Sequence, residues 1–336
     1  MGTISEKILR KVAQLKLRMM PLSINKNSEV EFYLVDAFEI EHFFPFYKQL
    51  RKMGIDAAFV AEPCDINTAG KWFDYDAAVS ILKDKGIKYY DRANRNAKVA
   101  VTTQFGRNLK KYKKACKRIQ LSYGEHVMPM NAFQLDKKVA GEFDYIFVMG
   151  EIKKKRLETA GIYGKAVVIS YPKHLDFFLQ KWKTEDIRRE LNIQTDRPIL
   201  MYYPTWGDYS SIPIFGREIG KLKDKFYIIS KPHHCTFRLL SEKNNMDILY
   251  EISDRVLDGN YDFAKSTLLG DIAISDATSG ASAEVAFLNP QIKLLLLGNE
   301  SMLEAYKDDI LGFAAFVSQK RELVKMVNAV MREDDI

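Results

Sequence analysis

Hydroxyl and imidazole side chains follow three apolar runs in the second half of the chain, just after each run ends. Thr205, His233 and the pair Thr278-Ser279 lie two to four residues past such a run. Ligands of open α/β sheets bind at the carboxyl ends of the strands. Backbone N–H groups and hydroxyls at a helix N-terminus bind anions, and an imidazole N–H donates to anionic oxygens. The pattern therefore indicates a site for a phosphorylated ligand.

Each of these positions also has a purely structural interpretation, and the sequence leaves both open. The segment around Thr205 and Trp206 could be a plain strand-to-loop transition with a packed indole. His233 could be a core histidine, and Thr278 with Ser279 could be an ordinary helix N-cap.

The elements that must position these residues follow from apolar periodicity. Short apolar runs alternate with longer amphipathic segments, which is the β-α-β rhythm of a parallel sheet covered by helices. We expect strands over 31–35, 57–60, 98–103, 118–121, 145–149, 167–170, 199–203, 226–230, 247–250, 272–275 and 292–297. We expect helices over 42–53, 76–85, 152–160, 175–191, 219–223, 281–288 and 320–331.

The rhythm restarts after the turn signal Thr195-Asp196-Arg197-Pro198. The predicted fold class is therefore α/β, with two Rossmann-like domains of ordinary size. We expect an N-terminal domain over residues 1–185 and a C-terminal domain over 186–336.

Composition excludes several classes of protein. The 336 residues are 47% hydrophobic and 28% charged, which is typical of a folded chain rather than a disordered one. Three scattered cysteines favour neither a disulfide framework nor a zinc finger and suit a reducing compartment. The fingerprints of dinucleotide-binding, P-loop and nucleophile-elbow proteins are absent from the sequence.

The net charge favours an anionic partner but does not identify which kind. The 51 basic and 44 acidic residues give a net charge of +7. Nucleic acid is not expected, because the sequence signatures of its binding modules are missing. We expect no metal site either: His233 and His234 have only Cys235 beside them, and neighbouring residues rarely share one metal.

Residues 5–20 form a basic amphipathic pattern, with apolar residues mostly three or four apart. One interpretation is an N-terminal helix docked on the domain. The other is a helix that lies on an anionic membrane surface.

Five ordered segments resemble those of the CDP-glycerol glycerophosphotransferase family, which polymerises or primes teichoic-acid-like chains. They are Gln120-Leu121-Ser122-Tyr123-Gly124, Ser170-Tyr171-Pro172-Lys173-His174-Leu175-Asp176, Tyr202-Tyr203-Pro204-Thr205-Trp206-Gly207-Asp208, Lys231-Pro232-His233-His234, and Leu268 to Ser279 with the run Ile274-Ser275-Asp276-Ala277-Thr278-Ser279. The resemblance extends from about residue 115 to residue 300.

The resemblance implies a GT-B fold: two Rossmann-like domains whose parallel sheets face a central cleft. It implies that His233 contacts the donor's phosphates and that Thr278 and Ser279 hold the pyrophosphate. Five further residues of the matching segments are assigned to substrate binding on the same ground: Gly124, Thr205, Trp206, Asp276 and Gly280. Glu284, further into the helix, is a candidate for a ribose hydroxyl, with a packing glutamate as the equal alternative.

The implied activity is transfer of an alditol-phosphate unit from a CDP-activated donor to an acceptor hydroxyl in cell-surface polymer synthesis. The acceptor would be a polymer or lipid-linked chain, and no cofactor is implied. The expected location is the cytoplasm, at the inner face of the membrane if residues 5–20 bind lipid.

The acceptor side departs from the family pattern. Tyr123, followed by Gly124, stands where the family has a histidine implied to be the general base. Tyrosine, with a pKa of about 10, is a poor base at neutral pH. His126 is the first substitute, since its pKa of about 6.5 suits the task, and Glu125 is the second. A structural His126 remains the alternative.

Two other functions stay open at this stage. One is a GT-B glycosyltransferase or a relative of UDP-N-acetylglucosamine 2-epimerase, because Ser279-Gly280 with Glu284 loosely matches a pattern of that epimerase. The other is a non-enzymatic protein that binds polyanions through its positive charge.

Overall fold

The computed structural model describes residues 23, 26–34, 37–62, 75–103, 109–122, 140–179, 181–259, 261–301 and 314–332. The chain divides into two compact units, and the division among these residues falls between Leu175 and Asp176. The predicted boundary at 185/186 lies ten residues further on, and independent folding of 1–185 and 186–336 stays a prediction. The amphipathic segment 5–20 lies outside the described residues.

The first unit is built on a seven-stranded, wholly parallel sheet. Its strands are β1 Val30–Tyr33, β2 Ala57–Val60, β3 Tyr89–Tyr90, β4 Val99–Thr102, β5 Lys117–Leu121, β6 Tyr145–Val148 and β7 Ala166–Val168. They lie in the order β3-β2-β1-β4-β5-β6-β7. Its described helices of seven or more residues are Glu39–Lys52, Tyr75–Asp84 and Glu151–Thr159.

Apolar side chains pack on both faces of this sheet. Phe32 of β1 and Phe59 of β2 pack on Phe43 of the helix Glu39–Lys52, with ring centroids 5.3 to 6.2 Å apart. Burying such rings is the main favourable contribution to folding. A second apolar cluster covers the opposite face and includes Leu109, Phe143 and Leu157.

The second unit is built on a six-stranded parallel sheet. Its strands are β8 Ile199–Tyr203, β9 Tyr227–Ser230, β10 Arg255–Val256, β11 Ile272–Asp276, β12 Lys293–Leu297 and β13 Ala315–Val317. Their order, β10-β9-β8-β11-β12-β13, is that of a Rossmann fold. Its described helices are Leu175–Phe178, which begins at the division, then Thr184–Glu190, Ile212–Gly220, His234–Arg238, Lys243–Ile252, Phe263–Thr267, Gly280–Leu288 and Leu323–Arg332.

One predicted strand is wrong. Residues 247–250 lie in the helix Lys243–Ile252. Met246, Leu249 and Ile252 recur every three residues and are buried, so they form the apolar face of a helix. The helix packs closely on Ile212–Gly220, where a Cβ on Gly216 would lie 2.7 Å from a methyl group of Ile248.

Two predicted helices have other bounds. The helix expected over 219–223 occupies Ile212–Gly220, because Pro213 is tolerated in a first turn and Ile212, Phe215 and Ile219 share its buried face. The helix expected over 175–191 is broken after Phe178 and resumes at Thr184.

The break has local causes. Trp182 packs against the core of the second unit, and the Thr184 hydroxyl donates to the carbonyl of Leu268 at 3.2 Å. Among the described residues, no helix combines the length and apolar content needed to cross a bilayer.

Candidate functional site

The candidate site lies at the switch point of the second sheet. The chain runs from β8 outward to β9 and β10 and then returns to β11 on the other side of β8. At such a reversal the loops leave the sheet in opposite directions and open a crevice at the carboxyl ends of the strands. Thr205 follows β8 and Asp276 ends β11, so two of the predicted residues meet there.

Asp276 fastens the loop after β8 to the end of β11. Its Oδ2 accepts hydrogen bonds from the backbone N–H of Thr205 at 2.6 Å and of Ser211 at 3.3 Å. Its Oδ1 has no hydrogen-bond partner, although the side chain is only 1% exposed. The predicted substrate-binding residue thus has a direct structural task, which is to hold the Thr205 loop in place.

Burial raises the pKa of Asp276 to about 6, and the hydrogen bonds from Ser211 and Thr205 oppose that rise. Desolvation of the carboxylate therefore outweighs the donors that surround it. At neutral pH the group is mostly ionised, but it stands close to its titration range.

His233 lies at the same edge of the sheet, three residues after β9. Its Nδ1 accepts from the backbone N–H of Cys235 at 3.2 Å and caps the helix His234–Arg238. An Nδ1 that accepts must be unprotonated, so the neutral ring carries its hydrogen on Nε2. The capping bond therefore leaves an N–H donor at the far side of the ring.

Burial lowers the pKa of His233 well below 6.5, and the nearby His234, Lys231 and Arg238 lower it further. The ring is consequently neutral at pH 7 before any anion binds. The indole of Trp206 packs beside it, with ring centroids 5.9 Å apart. The backbone N–H of His233 also donates to the carbonyl of Pro204 at 3.2 Å, so the loops after β8 and β9 are directly joined.

The helix Gly280–Leu288 begins directly after the loop that follows β11. Ser279 caps it, because its Oγ accepts from the backbone N–H of Ala281 at 3.2 Å. This is the structural role left open above, and it places the serine at the positive end of the helix dipole. Thr278 and Glu284 are both buried beside it, and Gly280 forms the first helical turn.

Lys231 and Glu242 are residues of this edge that sequence reasoning did not select. Lys231 directly follows β9, and its Nζ donates to the carbonyl of Gly259 at 3.3 Å. Glu242 is buried, and its carboxylate accepts a hydrogen bond from the backbone N–H of Gly207 at 3.0 Å. This bond holds the loop that follows Trp206 in the sequence. The strand-end position could have indicated Lys231, whereas nothing in the sequence near Glu242 indicates its contact.

Three side chains at this edge could hold a metal ion. The donor atoms of His233, His234 and Cys235 all lie within 4.8 Å of one another. Burial lowers the pKa of His234 to about 4, so both rings are unprotonated at pH 7. Imidazole and thiolate would suit a soft divalent ion such as Zn²⁺. The expectation that no metal binds stays a prediction.

The four predicted acceptor-side residues Tyr123, Gly124, Glu125 and His126 lie outside the described residues. The structure describes the strand that precedes them, β5, and its neighbour β4. Thr103, which follows β4, donates its hydroxyl to the buried carboxylate of Glu39. Gln120 of β5 donates to the carbonyl of Thr103 at 3.4 Å.

Two Rossmann-like units, each with a wholly parallel sheet, confirm the two domains that periodicity predicted, and they are the architecture of the GT-B class that the resemblance implied. Solved structures of that class align with almost the whole chain. A wall teichoic acid polymerase, TagF, in a structure soaked with CDPG, aligns over 99% of this chain and 90% of its own, with a TM-score of 0.56 and 15% identity. UDP-GlcNAc 2-epimerase from Neisseria meningitidis, bound to UDP-GlcNAc, aligns over 91% of both chains, with a TM-score of 0.62 and 12% identity. At these identities the likeness concerns the fold alone.

Sequence comparison gives the family. The model of CDP-glycerol:poly(glycerophosphate) glycerophosphotransferases matches residues 56–279, about two thirds of the chain. The chain belongs to this family, which confirms the resemblance in its motifs. The teichoic acid poly(glycerol phosphate) polymerase of Bacillus spizizenii is 27% identical over 190 residues, which are 52% of this chain and 45% of that protein. The chain thus aligns with slightly less than half the length of this curated relative.

Proposed function

We propose that this chain moves an alditol-phosphate unit, glycerol phosphate in the first instance, from a CDP-activated donor to an acceptor hydroxyl. The product would be part of a cell-surface phosphopolymer. Family membership supports the reaction class. The observation that carries the proposal is the convergence of His233, Thr205 and the helix that begins at Gly280 on one edge of the second sheet.

In the proposed reaction, the acceptor oxygen attacks the donor phosphorus that bears the alditol. A new P–O bond forms, the bond from that phosphorus to the bridging oxygen breaks, and CMP leaves with the electron pair. Negative charge develops on the non-bridging and leaving oxygens. Fixed N–H donors aimed at such charge are usually the largest contribution to catalysis, and His233 Nε2–H with the helix N-terminus would supply them.

The proton of the acceptor hydroxyl needs a base. We assign it to His126, with Glu125 as the substitute, because the phenol of Tyr123 is a poor acceptor near pH 7. Replacing His126 with glutamine should then reduce transfer at saturating donor without weakening donor binding. If Tyr123→Phe reduced the rate of transfer and His126→Gln did not, the tyrosine would instead be the base.

The acceptor is proposed to be a polymer or lipid-linked chain presented at the inner face of the membrane. The basic amphipathic segment 5–20 supports contact with anionic lipid. Deleting residues 5–20 should therefore release the protein from phosphatidylglycerol vesicles. Unchanged sedimentation with those vesicles would refute the membrane role of the segment.

One observation favours a second function, which is chemistry on a nucleotide sugar. Glu284 is buried in the helix that begins at Gly280, where it could reach a ribose or sugar hydroxyl. A preference for UDP over CDP would be the mark of this alternative.

The test is binding of CDP-glycerol, CDP and UDP by thermal shift, with His233→Asn and Ser279→Ala as variants. Asparagine can still accept the Cys235 N–H and cap the helix, but it lacks the Nε2–H donor. One lost bond to a charged group costs roughly 1.5–3 kcal/mol, so the Kd should rise at least tenfold. Ser241→Ala, an exposed serine, is the matched control for Ser279→Ala.

Stabilisation by cytidine diphosphates that both variants lose would support the proposal. Selectivity for UDP would transfer the assignment to the nucleotide-sugar function. Absence of any nucleotide effect would refute both.

A further inference from the structure

Positive charge is concentrated in one segment of the first unit. Ten of the 51 basic residues and none of the 44 acidic residues lie between residues 92 and 118. The remainder of the chain carries 41 basic and 44 acidic residues, so it is slightly acidic. The positive excess of the whole molecule therefore belongs to this segment.

A buried carboxyl group fixes this segment to the sheet. Glu31, in the centre of β1, accepts from the backbone N–H of Asn94 at 3.0 Å and from the hydroxyl of Tyr112 at 2.9 Å. Both partners are buried, while their neighbours Arg95 and Lys113 are exposed. The backbone N–H of Lys113 donates to the carbonyl of Arg95 at 3.1 Å, so the two stretches run side by side.

Several cations of the segment are already neutralised. Lys98 pairs with Glu29 at 2.9 Å and Lys117 with Asp144 at 3.0 Å, while Lys111 pairs with Glu62.

Five others are exposed and have no carboxylate at ion-pair distance among the described residues. We call these five the basic surface: Arg92, Arg95, Lys110, Lys113 and Lys114.

The described residues of the basic surface offer positive charge. In the described parts of 92–118, no large hydrophobic side chain is exposed, and Leu109 and Tyr112 are buried. Single-stranded nucleic acid is bound by stacking bases on exposed aromatic rings. Membrane-surface helices insert apolar side chains between lipids. The surface fits neither, and it suits a chain that presents phosphates without bases or acyl groups.

We propose that the basic surface binds the phosphate groups of a poly(glycerol phosphate) acceptor chain. This inference rests on the proposed function, which supplies a phosphopolymer as acceptor. Arg95 precedes β4 by four residues, and Lys113 and Lys114 precede β5 by four and three residues, so these three lie toward the amino ends of the strands. Arg92 follows β3 by two residues, and Lys111 of the same segment pairs with Glu62, two residues past β2, so the segment also reaches the carboxyl ends, where ligands of parallel sheets bind. The basic surface would therefore hold successive phosphates of the acceptor along the side of the first sheet.

The test compares two variants with the same change in net charge. The first is Lys110→Gln/Lys113→Gln/Lys114→Gln. The control is Lys52→Gln/Lys83→Gln/Lys325→Gln, which removes three exposed lysines elsewhere. The probe is lipid-free poly(glycerol phosphate), titrated at several salt concentrations.

Exposed ion pairs contribute between about 1.4-fold and fivefold each, so the loss of three should weaken binding roughly three- to hundredfold. The slope of log K against log salt should also become shallower by up to about two, as expected when three phosphate contacts are lost. The control should bind within about twofold of the wild type.

Equal binding by the wild type and the first variant would overturn the inference. So would tighter binding, per phosphate, of an RNA oligomer or of phosphatidylglycerol vesicles than of the polymer. The thermal shift with CDP-glycerol separates the two proposals. If CDP-glycerol still shifts the melting temperature while the lysine variant binds the polymer as tightly as the wild type, only the surface assignment fails. If CDP-glycerol gives no shift while the lysine variant binds the polymer more weakly than the wild type, only the proposed activity fails.

Discussion

Asp276 should make the stability of the second unit fall with rising pH. Its pKa is raised to about 6 in the folded chain, against about 3.9 when unfolded. Between these values the folded state holds a proton that the unfolded state has released, so unfolding becomes easier as pH rises. About two pKa units correspond to roughly 3 kcal/mol, fully present below pH 4 and lost as pH rises through 6.

The variant Asp276→Asn isolates this effect. Asparagine does not titrate, and its carbonyl oxygen can still accept from Thr205 and Ser211. The difference in unfolding free energy, wild type minus variant, should therefore fall by roughly 2 kcal/mol between pH 4 and pH 7. The comparison is necessary because His233 acts in the opposite sense. Its lowered pKa removes stability as pH falls below about 6.5.

Urea unfolding followed by tryptophan fluorescence provides the measurement. With Trp72 replaced by phenylalanine, the two remaining tryptophans, Trp182 and Trp206, both report on the second unit. Asp247→Asn, at an exposed position, controls for the general loss of a negative charge. A wild-type minus variant difference that is constant from pH 4 to pH 7 would refute the buried, desolvated carboxylate.

Three further outcomes follow from described contacts. Tyr112→Phe removes a bond to the buried Glu31 carboxyl and should destabilise the first unit by roughly 1.5–3 kcal/mol in urea unfolding; Tyr163→Phe, at an exposed ring, should change it by less than about 0.5 kcal/mol. The pKa of His233, followed by NMR, should rise when CDP binds, because an anion favours the imidazolium form; an unchanged pKa would place the phosphates elsewhere. Gly216→Ala should destabilise the second unit by about 1 kcal/mol in urea unfolding, since the Cβ would meet a methyl group of Ile248; an unchanged unfolding free energy would contradict the close packing of the two helices.

The strands of the two sheets could be predicted because each is a compact apolar run. Ile199–Tyr203 and Ala57–Val60 have the expected bounds, since a strand buried on both faces leaves a continuous apolar signature. The segment 247–250 was mistaken for a strand, because four residues are too few to separate a period of two from a period of three or four. The two-residue strands β3 and β10 are too short to leave any signature.

The sequence was sufficient to predict where the residues of the candidate site lie, but not which hydrogen bonds hold them there. Strand ends revealed where Thr205, His233 and Ser279 lie, because every carboxyl end of a parallel sheet faces the same edge. The bond from the Thr205 N–H to Asp276 joins residues 71 positions apart and has no local pattern. The same holds for Glu242, which holds the Gly207 loop through a contact across 35 positions. Such contacts depend on the tertiary fold, which no short window of sequence contains.

The central position of β8 has a consequence for synthesis of the chain on the ribosome. All five residues of β8 are buried in the finished sheet, between β9 and β11. β9 follows within about 25 residues, but β11 begins at Ile272, 69 residues after Tyr203. At about 5–20 residues per second, one edge of this apolar strand waits roughly 3–14 s for its neighbour. During that interval the nascent second unit presents an unpaired β edge, which is the stage at which we expect chaperones to matter most.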